Sequence, residues 1–148
     1  MIGIPHRHSP GWLLIVFFLI PAFAAGQHFG GRETDFIISL SAVSAPEGIA
    51  ATIVTTNLYP CAGYRLRAYT TREMDTITVH INGMVRPVPC VQGGDAATGN
   101  TFLGDLADGV YFLRITYRGE SDVHRISIRG NHAKIGGSDA RFSRVRGF

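Results

Sequence analysis

An all-β fold, a single antiparallel β-sandwich of about seven short strands, is what this sequence predicts. Three observations predict it. Apolar residues recur with period two in one segment after another, and no stretch after the N-terminal region carries a helical period. Gly, Pro, Asp and Asn punctuate these segments at strand-length intervals. Two cysteines, Cys61 and Cys90, are far enough apart to staple one strand to another.

The clearest unit is Leu106–Ile128. Val110–Arg118 and Asp122–Ile128 read as two strands folded over Gly119-Glu120-Ser121. Tyr111, Leu113 and Ile115 share one face of the first strand, and His124, Ile126 and Ile128 one face of the second. A lone hairpin is marginal in water, so its apolar face needs a second sheet to cover it. Earlier segments supply that cover. Asp35–Ala45 alternates through Phe36, Ile38, Leu40 and Ala42, and the β-branched Ile49–Thr56 follows the turn Pro46-Glu47-Gly48. Asn57–Cys61 reads as a loop delivering the first cysteine. Tyr64–Thr70 places Tyr64, Leu66 and Ala68 on one face, and Arg65, Arg67 and Tyr69 on the other. Thr76–Asn82 turns Ile77, Val79 and Ile81 inward and Thr76, Thr78 and His80 outward. Pro87 and Pro89 bracket a rigid approach to Cys90, because proline has no N–H for a sheet ladder. Gln92–Asn100 reads as a small-residue loop and Thr101–Leu103 as a short strand.

The ends read differently. Residues 1–25 are expected to be a secretory signal: Arg7 flanked by His6 and His8, then the apolar run Trp12–Ala25, with Pro21 and Ala22-Phe23-Ala24 before cleavage. That run falls short of the roughly 20 residues a bilayer span needs. No cysteine follows it that a lipid could modify. Residues 26–34 are expected to be a flexible lead-in, 35–130 the β domain, and 131–148 a basic disordered tail. Export to the periplasm or the outside favours a Cys61–Cys90 disulfide. The net charge of +3 is concentrated late in the chain, where Arg125, Arg129, Lys134, Arg141, Arg144 and Arg146 face Asp139 alone.

The combination Tyr59-Pro60-Cys61-x-x-Tyr64, Ile77-x-Val79-x-Ile81-x-Gly83, Pro89-Cys90 and Leu106-x-x-Gly109-x-Tyr111-x-Leu113-x-Ile115 resembles small exported bacterial domains. Those domains have an immunoglobulin-like sandwich with one disulfide, and most have no assigned function. The resemblance spans about Tyr59–Ile128 and implies an immunoglobulin-like arrangement. Leu106–Ile128 also resembles the end of the C-terminal sorting domains of type IX secretion, without a Pro-Asn-Pro motif and with a basic tail continuing beyond it.

Catalytic signatures are absent from the sequence: no GxSxG elbow, no HExxH and no phosphate-cradling glycine loop. His80 and His124 would meet if their strands neighboured, and with Asp75 or Asp122 would suit a metal or a small hydrolase. Asp95, Asp105 and Asp108 are candidate ligands for Ca²⁺ held between loops. The outward row Arg65, Arg67 and Tyr69 is a candidate surface for an acidic glycan or another anionic partner. Arg141, Arg144 and Arg146 in the tail would favour an anionic membrane surface over nucleic acid, which an exported protein does not meet. The function expected is therefore a non-catalytic exported module working by surface contact with a cell-envelope glycan or protein. A sorting role read through the C-terminal hairpin and tail is the first alternative, and a histidine-dependent hydrolase the second.

Overall fold

The computed structural model describes residues 36–44, 46–130 and 132–148. The expected signal and lead-in lie outside the described residues. Nine strands form one sheet: β1 (Phe36–Ser44), β2 (Glu47–Cys61), β3 (Arg65–Glu73), β4 (Thr76–Val85), β5 (Gln92–Gly104), β6 (Gly109–Tyr117), β7 (Glu120–Arg129), β8 (His132–Asp139) and β9 (Ser143–Arg146). Their order is β8-β7-β6-β4-β3-β5-β2-β1-β9.

The sheet is a nearly closed mixed barrel, which corrects the expected seven-stranded antiparallel, immunoglobulin-like sandwich. Successive strands reverse direction, but strands adjacent in the sheet are not always successive in the chain. Where the order skips a strand, or brings the chain ends together, the neighbours run parallel: β4 beside β6, β3 beside β5, and β1 beside β9. Period-two alternation is the same in either kind of ladder, so it carries no information on which strands become neighbours.

Two seams complete the circuit. Past β9, the Phe148 N–H donates to the Ala133 carbonyl (3.1 Å) and the Ala133 N–H to the Phe148 carbonyl (3.2 Å). This contact requires Gly147, because a Cβ there would overlap the Ala133 carbonyl oxygen. On the other side, β3 and β5 share the single ladder pair Arg65–Thr98, with the Thr98 N–H donating to the Tyr64 carbonyl at 3.1 Å. Farther along that seam the hydroxyls of Thr70 and Thr101 meet at 2.8 Å.

The alternating apolar sets fill the interior. Phe36, Ile38, Leu40, Ile49, Ile53, Leu66, Ile77, Val79, Ile81, Tyr111, Leu113, Ile115, Ile126 and Ile128 are buried, whereas Ala42 is exposed. Phe36 sits edge-on to both Tyr117 (4.9 Å) and Phe142 (6.3 Å), so the first strand and the chain's last segment share one cluster.

Three segments read as irregular are strands. Gln92–Asn100 belongs to β5, whose glycines and alanines offer little side chain to signal a strand. The small size of Gly99 is what lets β5 cross Leu66, since a Cβ there would come within 2.8 Å of the leucine side chain. Asn57–Cys61 is the end of β2, and Pro60 falls in a register shift between Tyr59–Asp95 and Cys61–Gln92. The presumed disordered tail forms β8 and β9.

Because the strands alternate in direction, the barrel has two distinct ends. One carries the β1–β2, β3–β4, β5–β6 and β7–β8 turns. The other carries the Cys61–Cys90 disulfide, the long β4–β5 connection and the β8–β9 loop.

Candidate functional site

A serine, a histidine and an aspartate converge inside the barrel. Asp122 and His124 point inward from β7, and Ser143 opens β9; each is 3% exposed or less. Asp122 accepts four hydrogen bonds: backbone N–H groups of Arg141 (2.9 Å), Phe142 (2.9 Å) and Ser143 (2.7 Å), and the Ser143 hydroxyl (2.8 Å). The Ser143 oxygen also meets Nε2 of His124 at 2.8 Å. A hydroxyl has one proton, and Ser143 gives it to Asp122. His124 therefore donates from Nε2–H and Ser143 accepts.

This direction decides the chemistry. A nucleophilic serine must hand its proton to the histidine, with the carboxylate behind that histidine. Here the hydroxyl is committed to the carboxylate and the imidazole is a donor. Burial pushes the Asp122 carboxyl up, but the four hydrogen bonds outweigh it and hold it below the ordinary carboxylate range. Burial lowers the His124 imidazole below its ordinary value, exceeding the opposing pull of Asp122. The trio fastens the chain's last segment to β7. The inward position of His124 was legible in the alternation of β7, whereas Ser143 lies in a segment without any.

On the outer face of β3 and β4 the arrangement is open. Tyr69 and His80 are opposite one another in the ladder, and their rings stack at 4.6 Å and 13°. Thr116 gives its proton to the Val79 carbonyl at 3.4 Å, which leaves its oxygen to accept from Nδ1–H of His80 at 3.1 Å. Nε2 of His80 then accepts from the Thr71 hydroxyl at 3.0 Å. Two threonines and a tyrosine ring thus fix the imidazole, and the pair forms a flat, preorganised platform. Arg65 and Arg67 precede Tyr69 on the same exposed face of β3 and form no ion pair among the described residues. The row Arg65, Arg67 and Tyr69 was legible in the sequence. The stacking of His80 was not, because it depends on the β3–β4 register.

Other candidate groups are dispersed. His80 lies outside the barrel and His124 inside it, on strands separated by β6, so the two histidines form no joint site. Asp105 and Asp108 lie at the β5–β6 turn, whereas Asp95 is near the start of β5, roughly 30 Å of strand away. The three cannot hold one Ca²⁺. Asp95 instead accepts the Ala96 N–H (2.9 Å) and Asp108 the Gly130 N–H (2.6 Å). No group of three His, Cys, Asp or Glu suited to a metal occurs among the described residues. Arg141 is exposed and lies 3.8 Å from Glu120, while Arg144 and Arg146 are exposed on β9.

Cys61 and Cys90 are bonded, with Cα atoms 5.2 Å apart, consistent with an oxidising, exported environment. No protein-family model, curated protein or solved structure matches the chain, so its candidate site stands on its own geometry.

Proposed function

We propose that this protein is an exported, non-catalytic module that holds an acidic glycan of the cell envelope on the outer face of β3 and β4. The supporting observation is the stacked Tyr69–His80 platform with Arg65 and Arg67 beside it on β3. A pyranose presents an apolar C–H face that packs on a flat ring, and a uronic acid adds a carboxylate that a guanidinium grips in bidentate fashion. Ordering costs little, because the platform is already held by Thr71 and Thr116. Export is supported by the leader-like N-terminus and the disulfide. For a sorting role read through the C-terminus, the segment to be recognised would be one held in the barrel by the Asp122 network and the Ala133–Phe148 pair.

Calorimetric titration with galacturonic-acid oligomers, against neutral galactose oligomers of equal length, tests the reading. Binding is expected for the acidic series only, weakened about tenfold by Arg67→Ala, the loss of one charge-assisted contact. Tyr69→Ala is expected to abolish it. Equal binding of both series, or none by either, would remove the proposal.

A further inference from the structure

The outer side chains of β7 and β8 gather positive charge around one cleft. Residues 120–148 hold six Arg and Lys against three Asp and Glu. Of those carboxylates, Asp122 is inside the barrel and Glu120 lies 3.8 Å from Arg141. Asp139 stands opposite Val123, roughly 20 Å of strand from Arg129. His124, Ile126 and Ile128 point inward, so β7 presents Arg125, Ser127 and Arg129 outward. On β8, His132 is opposite Arg129 and Lys134 opposite Ser127. Arg129 and Lys134 are thus diagonal neighbours, about 7–8 Å apart in the backbone, where like charges repel.

Ser127, Arg129, His132 and Lys134 line a cleft of about 490 Å³. Arg125 adds a third cation beside it. Its Cγ and Cδ lie over Gly136 of β8, 3.9 Å from where a Cβ would stand. The β8 backbone beneath is fixed on both sides, by the β7 ladder and by the Ala133–Phe148 hydrogen bonds. Carboxylates at this end of the barrel are placed elsewhere. Glu47 and Asp105 line a cleft with Gly48 and Leu106, and Glu73 and Asp75 another with Phe112. Asp108 is engaged by the Gly130 N–H at 2.6 Å. No carboxylate of a described residue lines the β7–β8 cleft.

Each lining side chain offers a donor: a hydroxyl, a guanidinium, an imidazole and an ammonium group. Four donors with two adjacent cations suit a group that has several acceptor oxygens and two negative charges. A phosphoryl group meets both conditions, whereas a carboxylate has two oxygens and one charge. The cleft is larger than that group alone, which leaves space for the molecule carrying it. We propose that the β7–β8 cleft binds a phosphate monoester through its phosphoryl oxygens. Arg129 and Lys134 grip the dianion, Ser127 and His132 donate to it, and its charge relieves the repulsion between the two cations. Strand β6 separates this cleft from the β4 side of the glycan platform.

Amide NMR spectra of the full chain, titrated at constant ionic strength with glycerol 3-phosphate, inorganic phosphate or acetate, test the proposal. Glycerol 3-phosphate is expected to give saturable shifts at Ser127, Arg129, His132 and Lys134, and acetate none. Lys134→Gln and Arg129→Gln are each expected to weaken binding about tenfold, the loss of one charge-assisted contact. Both side chains are exposed, so amide spectra away from the cleft are expected to be unchanged in the variants. Tyr69→Ala, which removes the glycan platform, is expected to leave phosphate binding intact. An equal response to acetate, or shifts spread over the arginines of every face without saturation, overturns the proposal. Binding of inorganic phosphate without glycerol 3-phosphate would overturn the ester assignment. A response of these four amides to galacturonic-acid oligomers in place of phosphate would give the cleft to the glycan. Failure here leaves the β3–β4 platform untouched, because none of these readouts involves Tyr69 or His80.

Discussion

Asp122 shows how one side chain secures a strand whose own sequence is weak. Its carboxylate gathers three successive backbone N–H groups and a hydroxyl, so the turn from Arg141 to Ser143 is shaped around a charge rather than an apolar anchor. The pH dependence of stability follows from the directions in which Asp122 and His124 are shifted. The folded-state value of Asp122 is depressed, so its contribution is present above the ordinary carboxylate value of 3.8 and is lost as pH falls through the folded value. His124 is depressed from 6.5, so below that pH the unfolded chain takes up a proton that the folded chain refuses. Both act in the same direction. Urea-unfolding midpoints are expected to fall steadily from pH 8 to pH 3.5, and His124→Gln to flatten the part between pH 7 and 5.5. A midpoint that rises on acidification would contradict this assignment. The sequence showed that His124 faces inward and that Asp122 lies two residues before it. It could not show that their partner is Ser143, because nothing in residues 139–143 alternates.

Among the elements, β9 is the shortest at four residues, yet it brings the chain's end to β8. It adds to β1 in parallel, in the register Phe36–Ser143 to Ser39–Arg146, and the chain then reaches Ala133 through Gly147. Gly147→Ala is expected to break that last contact at a cost of about 1–3 kcal/mol. Hydrogen exchange is the appropriate measurement: protection lost at the amides of Ala133 and Phe148, with β3 and β4 unchanged. Loss of protection throughout the barrel would mean that closure is needed by the whole fold. Strands with bulky alternating residues, such as β4 and β6, were legible because one face must be apolar to be buried. β5, β8 and β9 were not, because their glycine, lysine and arginine content reads as loop or tail when their ladder partners are unknown.

For the whole molecule, the disulfide closes a long stretch of chain, Cys61 and Cys90 being 29 residues apart in sequence, and restrains the unfolded state. In the chain-entropy treatment that is worth roughly 3–4 kcal/mol. Reduction is therefore expected to lower the denaturant midpoint substantially, and an unchanged midpoint would mean that the disulfide end is independent of the barrel. By itself the sequence determined the all-β class, the inward set from Phe36 through Ile128 apart from Ala42, the β6–β7 hairpin and the exposed row Arg65, Arg67 and Tyr69. Each follows from the opposed faces of a strand or from local turn chemistry. Only the tertiary structure decided that β5 lies between β3 and β2, that β6 neighbours β4, and that the tail joins the barrel. It alone stacked His80 on Tyr69 and set Ser143 against Asp122. The reason is physical: period-two alternation records which face of a strand is buried but carries no address for its neighbours. Those neighbours are selected when distant segments compete to cover one another's apolar faces and to satisfy their backbone hydrogen bonds.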